Sequence, residues 1–287
     1  MKVGVQLYSV RNSMAISPLA TIEKVIKTGY KYIELANHNA ENDPGCGFPV
    51  DAAELRLLLN TYGAKVVNSH LSPINEKVAA QAIKNIIRFH KEIGNNSLTV
   101  AMDFFFSKDD IMKKCELYNK IGKTCKEEGI DFLYHNHFHE FQKFDGKTIL
   151  DSIAENTNPE YVKFEIDTYW TMRGGQNPVD VIKKFGNRIK LIHQKDFPKD
   201  SGETVDLLSK TDPQSKIDMD VFVELVNPSS FTEIGTGIMD IQSIITAANE
   251  SKIEYIILEQ DHSRNMEFQS LQISMDSFKK YSGIAFE

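Results

Sequence analysis

A helical stretch that ends in glycine and passes at once into a short apolar run recurs four times in the first half of this chain. Gly29 precedes the run 30–35, Gly63 the run 64–69, Gly94 the run 97–101, and Gly129 the run 130–134. Glycine suits the position after a helix because it enters the left-handed conformation without a Cβ clash. A short run apolar at nearly every position reads as a strand covered on both faces, the signature of a parallel sheet. Residues 3–7, 161–166, 189–192 and 253–258 bring the strand count to eight. The intervening segments carry a helical period: Ala79, Ile83, Ile86, His90 and Ile93 share one face. Ser17-Pro18 and Ser107 mark helix starts, and a last helix is expected near 265–281 with Leu271, Met275 and Phe278 inward.

Eight strand–helix units without a composition shift predict an α/β chain, a single (β/α)8 TIM barrel over residues 1–287. A doubly wound open sheet is the rival. The barrel is preferred because 287 residues match its usual size of about 250. One segment breaks the rhythm: the excursion 197–231 is long, polar and interrupted by Pro198, Pro213 and Pro228, with a short element expected near 219–225. It leaves the seventh strand at the predicted mouth, so it is expected to cover the site in part, excluding water or meeting a neighbouring subunit.

The net charge is −7, and the lysines are scattered without a basic stripe, which disfavours a reader of nucleic-acid backbones. Cys46, Cys115 and Cys125 form no paired motif and read as buried thiols in a reducing compartment. The opening residues read as a strand rather than a leader, and no apolar run approaches the ~18 residues of a membrane span. Together these predict a cytoplasmic protein with no membrane or nucleic-acid partner and a small polar substrate. Homo-oligomers remain open.

Barrel active sites lie where strands end at the C-terminal mouth. Strand five ends in His135-Asn136-His137-Phe138-His139-Glu140, strand six in Glu165-Ile166-Asp167, strand seven in His193-Gln194-Lys195, and strand eight in Glu259-Gln260-Asp261. Each residue alone has a plain reading, as a loop cap, a turn former or a surface ion pair. Four consecutive strands each delivering a carboxylate or imidazole point to one divalent metal ion, Mn²⁺, Co²⁺, Mg²⁺ or Zn²⁺. His135, His137 and His139 alternate and would face one side. His137 is expected at the substrate and His139 partly exposed. Lys195 either steadies a developing oxyanion or pairs with Asp196. Gln6, Tyr8, Glu34, His38, Asn68 and His70 are further rim candidates, with Gln6, Tyr8, Glu34 and His70 taken as substrate-binding. Trp170 offers a flat face to a sugar or packs in the core. Gly235-Thr236-Gly237 is a weak phosphate cradle, lacking the length and lysine of a P-loop.

These residues resemble the sugar phosphate isomerase/epimerase group of the xylose isomerase-like TIM barrel superfamily, which includes tagatose and psicose 3-epimerases and inosose dehydratases. The resemblance runs from Gly4-Val5-Gln6-Leu7-Tyr8 to Leu258-Glu259 and is carried by His135-Asn136-His137 with Glu140-Phe141, Asp167-Thr168-Tyr169-Trp170, His193-Gln194-Lys195-Asp196 and Gly235-Thr236-Gly237. It implies one metal held by Glu140, Asp167, His193 and Glu259. The activity it implies is a metal-dependent isomerase or epimerase of a keto-sugar or polyol, manganese being the expected ion. Glu140 and Glu259 would act as acid and base through a metal-stabilised enediolate. An inosose dehydratase-type lyase on the same scaffold is the alternative. An AP endonuclease-type metal nuclease, drawing extra ligands from Glu34, His70 and His137, is a remote one.

Overall fold

In the computed structural model, which describes residues 1–212 and 215–286, all eight expected runs are strands. They are β1 (Lys2–Gln6), β2 (Tyr32–Asn37), β3 (Lys65–Leu71), β4 (Ser97–Val100), β5 (Asp131–His135), β6 (Val162–Asp167), β7 (Ile189–Gln194) and β8 (Tyr255–Leu258). Every neighbouring pair is parallel and β1 closes on β8, so the sheet is a closed barrel and not an open sheet. Seven outer helices connect the strands and an eighth follows β8: α1 (Pro18–Lys27), α2 (Ala52–Tyr62), α3 (Ile83–Glu92), α4 (Lys108–Glu127), α5 (Ile149–Asn156), α6 (Pro178–Phe185), α7 (Ile241–Glu250) and α8 (Glu267–Phe278). No helix among the described residues is long and apolar enough to cross a membrane.

The local signals act as their chemistry dictates. Gly29, Gly63, Gly94 and Gly129 all have positive φ, which reverses the chain from helix to strand without a Cβ penalty. The Ser107 hydroxyl accepts the Asp110 amide and starts α4. Ser17 makes no such bond, and α1 begins on the fixed φ of Pro18 alone. Leu271, Met275 and Phe278 on α8 are buried. A turn of π-helix over Val78–Ala82 precedes α3, so the helical face begins at Ile83 rather than Ala79.

The barrel interior is layered, and the layers decide where chemistry can occur. Near the N-terminal end, Leu133, Leu191 and Ile257 form an apolar plug with Val67, closed below by Tyr32 and Tyr255. Each buried aliphatic chain contributes about 1.5–3 kcal/mol. Side chains two residues apart on a strand share a face. One step up each strand therefore replaces Leu133 by His135, Leu191 by His193, Ile257 by Glu259 and Tyr32 by Glu34. Register shifts at Ile33/Glu34 and at Phe164/Glu165 accompany the inward placement of Glu34 and Glu165.

The excursion after β7 has its own structure. It contains the helix Met219–Leu225 and short 3-10 turns at Leu208–Lys210 and Pro228–Ser230; Pro213 lies outside the described residues. Leu207, Ile217, Phe222 and Phe231 from it form a second small core with Phe138, Tyr169 and Trp170. Tyr169 donates its hydroxyl to the Ser230 carbonyl, and the buried Arg173 donates to the Val205 carbonyl. The two ends are tied together by Asp196. Its Oδ1 accepts the Phe197 and Met239 amides and its Oδ2 the Gly235 and Gly237 amides, at 2.9–3.1 Å. The Gly235 and Gly237 amides thus hold an anion, but it is this chain's own carboxylate rather than a phosphate.

A candidate metal centre at the barrel mouth

His135, Asp167, His193 and Glu259 each offer one ligand atom, and the four atoms lie within 4.8 Å of one another in the barrel interior. They stand at the ends of β5, β6, β7 and just past β8. The tautomers follow from their partners. His135 Nδ1 is 3.2 Å from the Ala101 carbonyl oxygen, which can only accept, so Nδ1 carries the proton. Burial, opposed by the Asp167 carboxylate, holds His135 below its ordinary pKa, and Nε2 keeps a buried lone pair with no hydrogen-bond partner. His193 Nε2 faces Glu34 Oε2 at 2.5 Å and Glu165 Oε1 at 2.8 Å, so that nitrogen is the donor. Its Nδ1 lies 3.0 Å from Glu259 Oε2, an approach that requires a proton or a cation between them.

Asp167 divides its carboxylate between two tasks. Oδ1 accepts the Trp170 amide and caps the helix Thr168–Arg173, which fixes the direction of the group. Oδ2 faces Lys195 Nζ at 2.5 Å and His135 Nε2 at 3.5 Å. Lys195 also reaches Glu259 Oε2 at 2.5 Å and Asp261 at 3.9 Å. It is fully buried and bridges two site carboxylates, while Asp196 binds backbone amides instead.

A second set, Glu34, His70, Glu165 and His193, lies against the first. Protons already satisfy it. His70 Nε2 sits 2.8 Å from Glu165 and 3.1 Å from Glu34, and Asn68 donates to Glu34 at 2.7 Å. Burial disfavours the His70 cation, but the Glu34 and Glu165 carboxylates outweigh it and push its pKa up to about 10. Burial works against ionised Glu165 and Glu259 too, yet His193 and His70 beside Glu165, and Lys195 and His193 beside Glu259, hold both carboxyls well below their usual range. At the rim, burial dominates for Asp261 and raises its carboxyl to about 7.

Charge balance tests whether an ion fits. Glu34, Glu165, Asp167 and Glu259 are four buried carboxylates, and Lys195 supplies one permanent positive charge among them. Three negative charges remain, against the imidazoliums of His70 and His193, the latter held well above its ordinary pKa because the Glu165, Glu34 and Glu259 carboxylates outweigh burial; a divalent ion at His193 Nδ1 would replace that proton and complete the balance. Buried charges left unpaired are strongly destabilising, so the donor set fits a cation of that charge. Two imidazole nitrogens and two carboxylates, with no thiolate, suit Mn²⁺, Co²⁺ or Zn²⁺. Cys46, Cys115 and Cys125 are buried outside the donor groups.

Glu140 is not among the described residues gathered there. It accepts the Tyr134 hydroxyl at 2.6 Å and the His137 amide at 2.9 Å. The chain turns into a 3-10 helix over His139–Phe141 as soon as β5 ends, and that turn aims Glu140 back toward β5's outer side chains. His135 occupies the place that the family resemblance gave to Glu140. His139, expected partly exposed, is buried: its Nε2 donates to the Asp103 carbonyl at 2.8 Å and its ring stacks on Phe104.

Above the donors opens a cavity of about 590 Å³. Tyr8, His38, His70, His137 and Trp170 line it, as do Glu259 and Asp261. Gln6, Glu34 and Lys195 do not. Gln6 accepts the Tyr8 amide and donates to the Leu35 carbonyl, which shapes the first turn after β1. Glu34 lies beneath the donors as the orienting partner of His193. Sequence reasoning missed Glu165, although it shares a strand face with Asp167 two residues on.

The profile of the family described as xylose isomerase-like TIM barrel matches residues 22–281. Among curated proteins, the inosose dehydratase of Clostridium beijerinckii is 27% identical over 155 residues, 54% of this chain and 48% of that protein. The chain thus spans about half the length of the curated relatives it matches. Among solved structures, a sugar phosphate isomerase/epimerase from Parabacteroides distasonis superposes with a TM-score of 0.77 at 21% identity, over 99% of this chain and 95% of that one. A probable 3-DHS dehydratase from Bacillus anthracis gives 0.70 at 17% identity, over 98% and 99%.

Proposed function

Since the chain belongs to the xylose isomerase-like TIM barrel family, we propose that it is a metal-dependent enzyme acting on a keto-sugar or polyol ketone, and that it works as a dehydratase-type lyase. The proposed ligands are His135, Asp167, His193 and Glu259. One observation carries the choice of reaction. The expected epimerase would use two glutamates, and Glu140, the second, is held by Tyr134 and the His137 amide; the other carboxyl that lines the cavity is Asp261, which serves a lyase as proton donor to its leaving group. Glu259 is the one glutamate that both joins the donors and lines the cavity among the described residues. The resemblance to inosose dehydratases supports the same reading.

When bound, a divalent ion supplies Lewis-acid polarisation of the substrate carbonyl and its neighbouring hydroxyl. Glu259, held as the carboxylate by Lys195 and His193, takes the proton from the carbon beside the carbonyl. The electron pair of that C–H bond forms a C=C bond, and the β C–O bond breaks. The leaving hydroxyl takes a proton from Asp261 and departs as water, so the product is the α,β-unsaturated ketone. Lys195 keeps Glu259 and Asp167 aligned through its two hydrogen bonds. Glu34 and Glu165 hold His193 in one orientation from below, as second partners of metal-binding histidines do.

The test is to incubate Mn²⁺-loaded protein with a set of inososes, keto-hexoses and keto-glycosides in D2O. A new ultraviolet enone absorbance with loss of one substrate C–H signal supports the lyase. Deuterium uptake with no unsaturated product supports the epimerase instead. Neither change on any ketone refutes both.

A further inference from the structure

The cavity joins a polar floor to a mainly apolar wall. Its floor is made by His70, His135, Glu259 and Asp261, whereas its outer wall is mostly apolar, with His137 and His262 at its edges. That wall comes from the excursion: Met219, Phe222 and Val223 on the helix Met219–Leu225, then Val226 and Phe231 beyond it. Phe222 packs against Trp170 at 5.6 Å and Trp170 against Phe231 at 5.8 Å, which makes a continuous aromatic surface. Met219 and Val223 are 50% and 64% exposed, so they are apolar side chains held at the cavity and not consumed by the small core behind it.

This wall is unsuited to a free sugar. A hexose carries hydroxyls around its whole edge, and a hydroxyl buried against methionine, valine and phenylalanine loses its water without gaining a partner. The volume points the same way. At about 590 Å³ the cavity lies within the roughly 300–1,000 Å³ typical of drug-sized ligands, well beyond one six-membered sugar ring.

We infer that the substrate is a two-part molecule: a keto-sugar or ring polyol seated on the polar floor, bearing an aromatic or other apolar substituent that lies beneath the helix Met219–Leu225. The inference rests on the keto-sugar reading above and adds the class of substituent. The sugar ring faces the proposed ligands, and the substituent lies against the surface that Trp170, Phe222 and Phe231 make with Met219 and Val223. The helix Met219–Leu225 covers the substituent, so an occupied apolar half keeps water from the floor.

The test compares methyl with phenyl 3-keto-glucopyranoside, both anomers, on Mn²⁺-loaded protein. In these probes the ketone is flanked by hydroxyls and stands away from the substituent. Affinity is read from the fluorescence of Trp170, the single tryptophan, and checked by calorimetry. The phenyl glycoside is expected to bind at least about tenfold more tightly than the methyl one, the scale of a well-filled apolar pocket. Val223→Asp, at an exposed position that the fold tolerates, is expected to cut that ratio below about threefold. Equal affinities of the two glycosides, or a ratio unchanged by V223D, overturn the apolar substituent and leave the keto-sugar reading standing. Binding of neither glycoside overturns the two-part substrate, while the keto-sugar reading stands or falls on turnover of the inososes and keto-hexoses.

Discussion

Replacing His90 by leucine makes this protein more resistant to acid, by an amount the structure sets. His90 lies on the inner face of α3 with no exposed surface. Its Nδ1 accepts the Asn95 side-chain amide at 3.1 Å, and its Nε2 has no partner. Burial alone pushes its pKa down to about 3. An unfolded chain restores the ordinary histidine value of about 6.5. The unfolded state therefore binds a proton below that pH and the folded state does not, so this site's contribution is complete above pH 6.5 and falls as pH drops toward 3. At pH 5 the folded imidazole is still neutral, and the loss is set by protonation of the unfolded chain, one and a half units below its pKa. That amounts to about 2 kcal/mol. Leucine removes the titration and leaves Asn95 its bond to the Ser97 carbonyl. Urea denaturation of parent and H90L at pH 8 and pH 5 isolates the effect, because every other titrating group cancels in the difference. The stability of H90L relative to the parent should rise by about 2 kcal/mol between the two pH values. A relative stability constant within about 0.5 kcal/mol would refute a neutral, buried His90.

Three further outcomes follow from the mouth. Stripping the protein with EDTA should lower its melting temperature, and Mn²⁺ at a hundredfold excess over its dissociation constant should restore about 2.7 kcal/mol; a melting curve indifferent to metal counts against the centre. Glu34→Gln should weaken Mn²⁺ binding, read by electron paramagnetic resonance, by about 10–100-fold because it loosens His193, and unaltered affinity would remove Glu34 from that role. Glu259→Gln should lower the rate on any accepted ketone by about 10²–10⁴-fold while the folded fraction is preserved; wild-type rates would end its assignment as the base.

The strand count and the closed sheet were legible because the glycine joints and the apolar runs are local signals. The mouth was legible in part. Asp167, His193 and Glu259 end strands whose inward face extends by the period of two, so position along the chain predicts direction. Glu140 lies beyond the end of β5, where the chain has already turned into a 3-10 helix and the strand period no longer applies. The inward place belongs to His135, the last residue of the strand itself. Glu165 was hidden between Phe164 and Ile166, where a single carboxylate looks like an interruption of a buried run. Its partners, His70 and His193, come from other strands, and only closure of the barrel brings them within reach. The same holds for Lys195, whose neighbour Asp196 in sequence is directed to the opposite task.

That opposite task has a consequence for how such a chain can diverge. Asp196 clasps the amides at both the departure and the return of the segment 197–231, and Gly237 is so close that a Cβ there would stand 2.2 Å from Asp196 Oδ1. A clasp made of one carboxylate and four backbone amides is indifferent to what hangs between its ends. The residues between them can change while β7 and α7 stay in place, provided that Phe138, Tyr169 and Trp170 keep an apolar cover and the buried Arg173 keeps a carbonyl partner. With the proposed chemistry in the strands and the proposed selectivity in this segment, a graft between Asp196 and Gly237 that keeps those contacts is the natural unit for retargeting this scaffold.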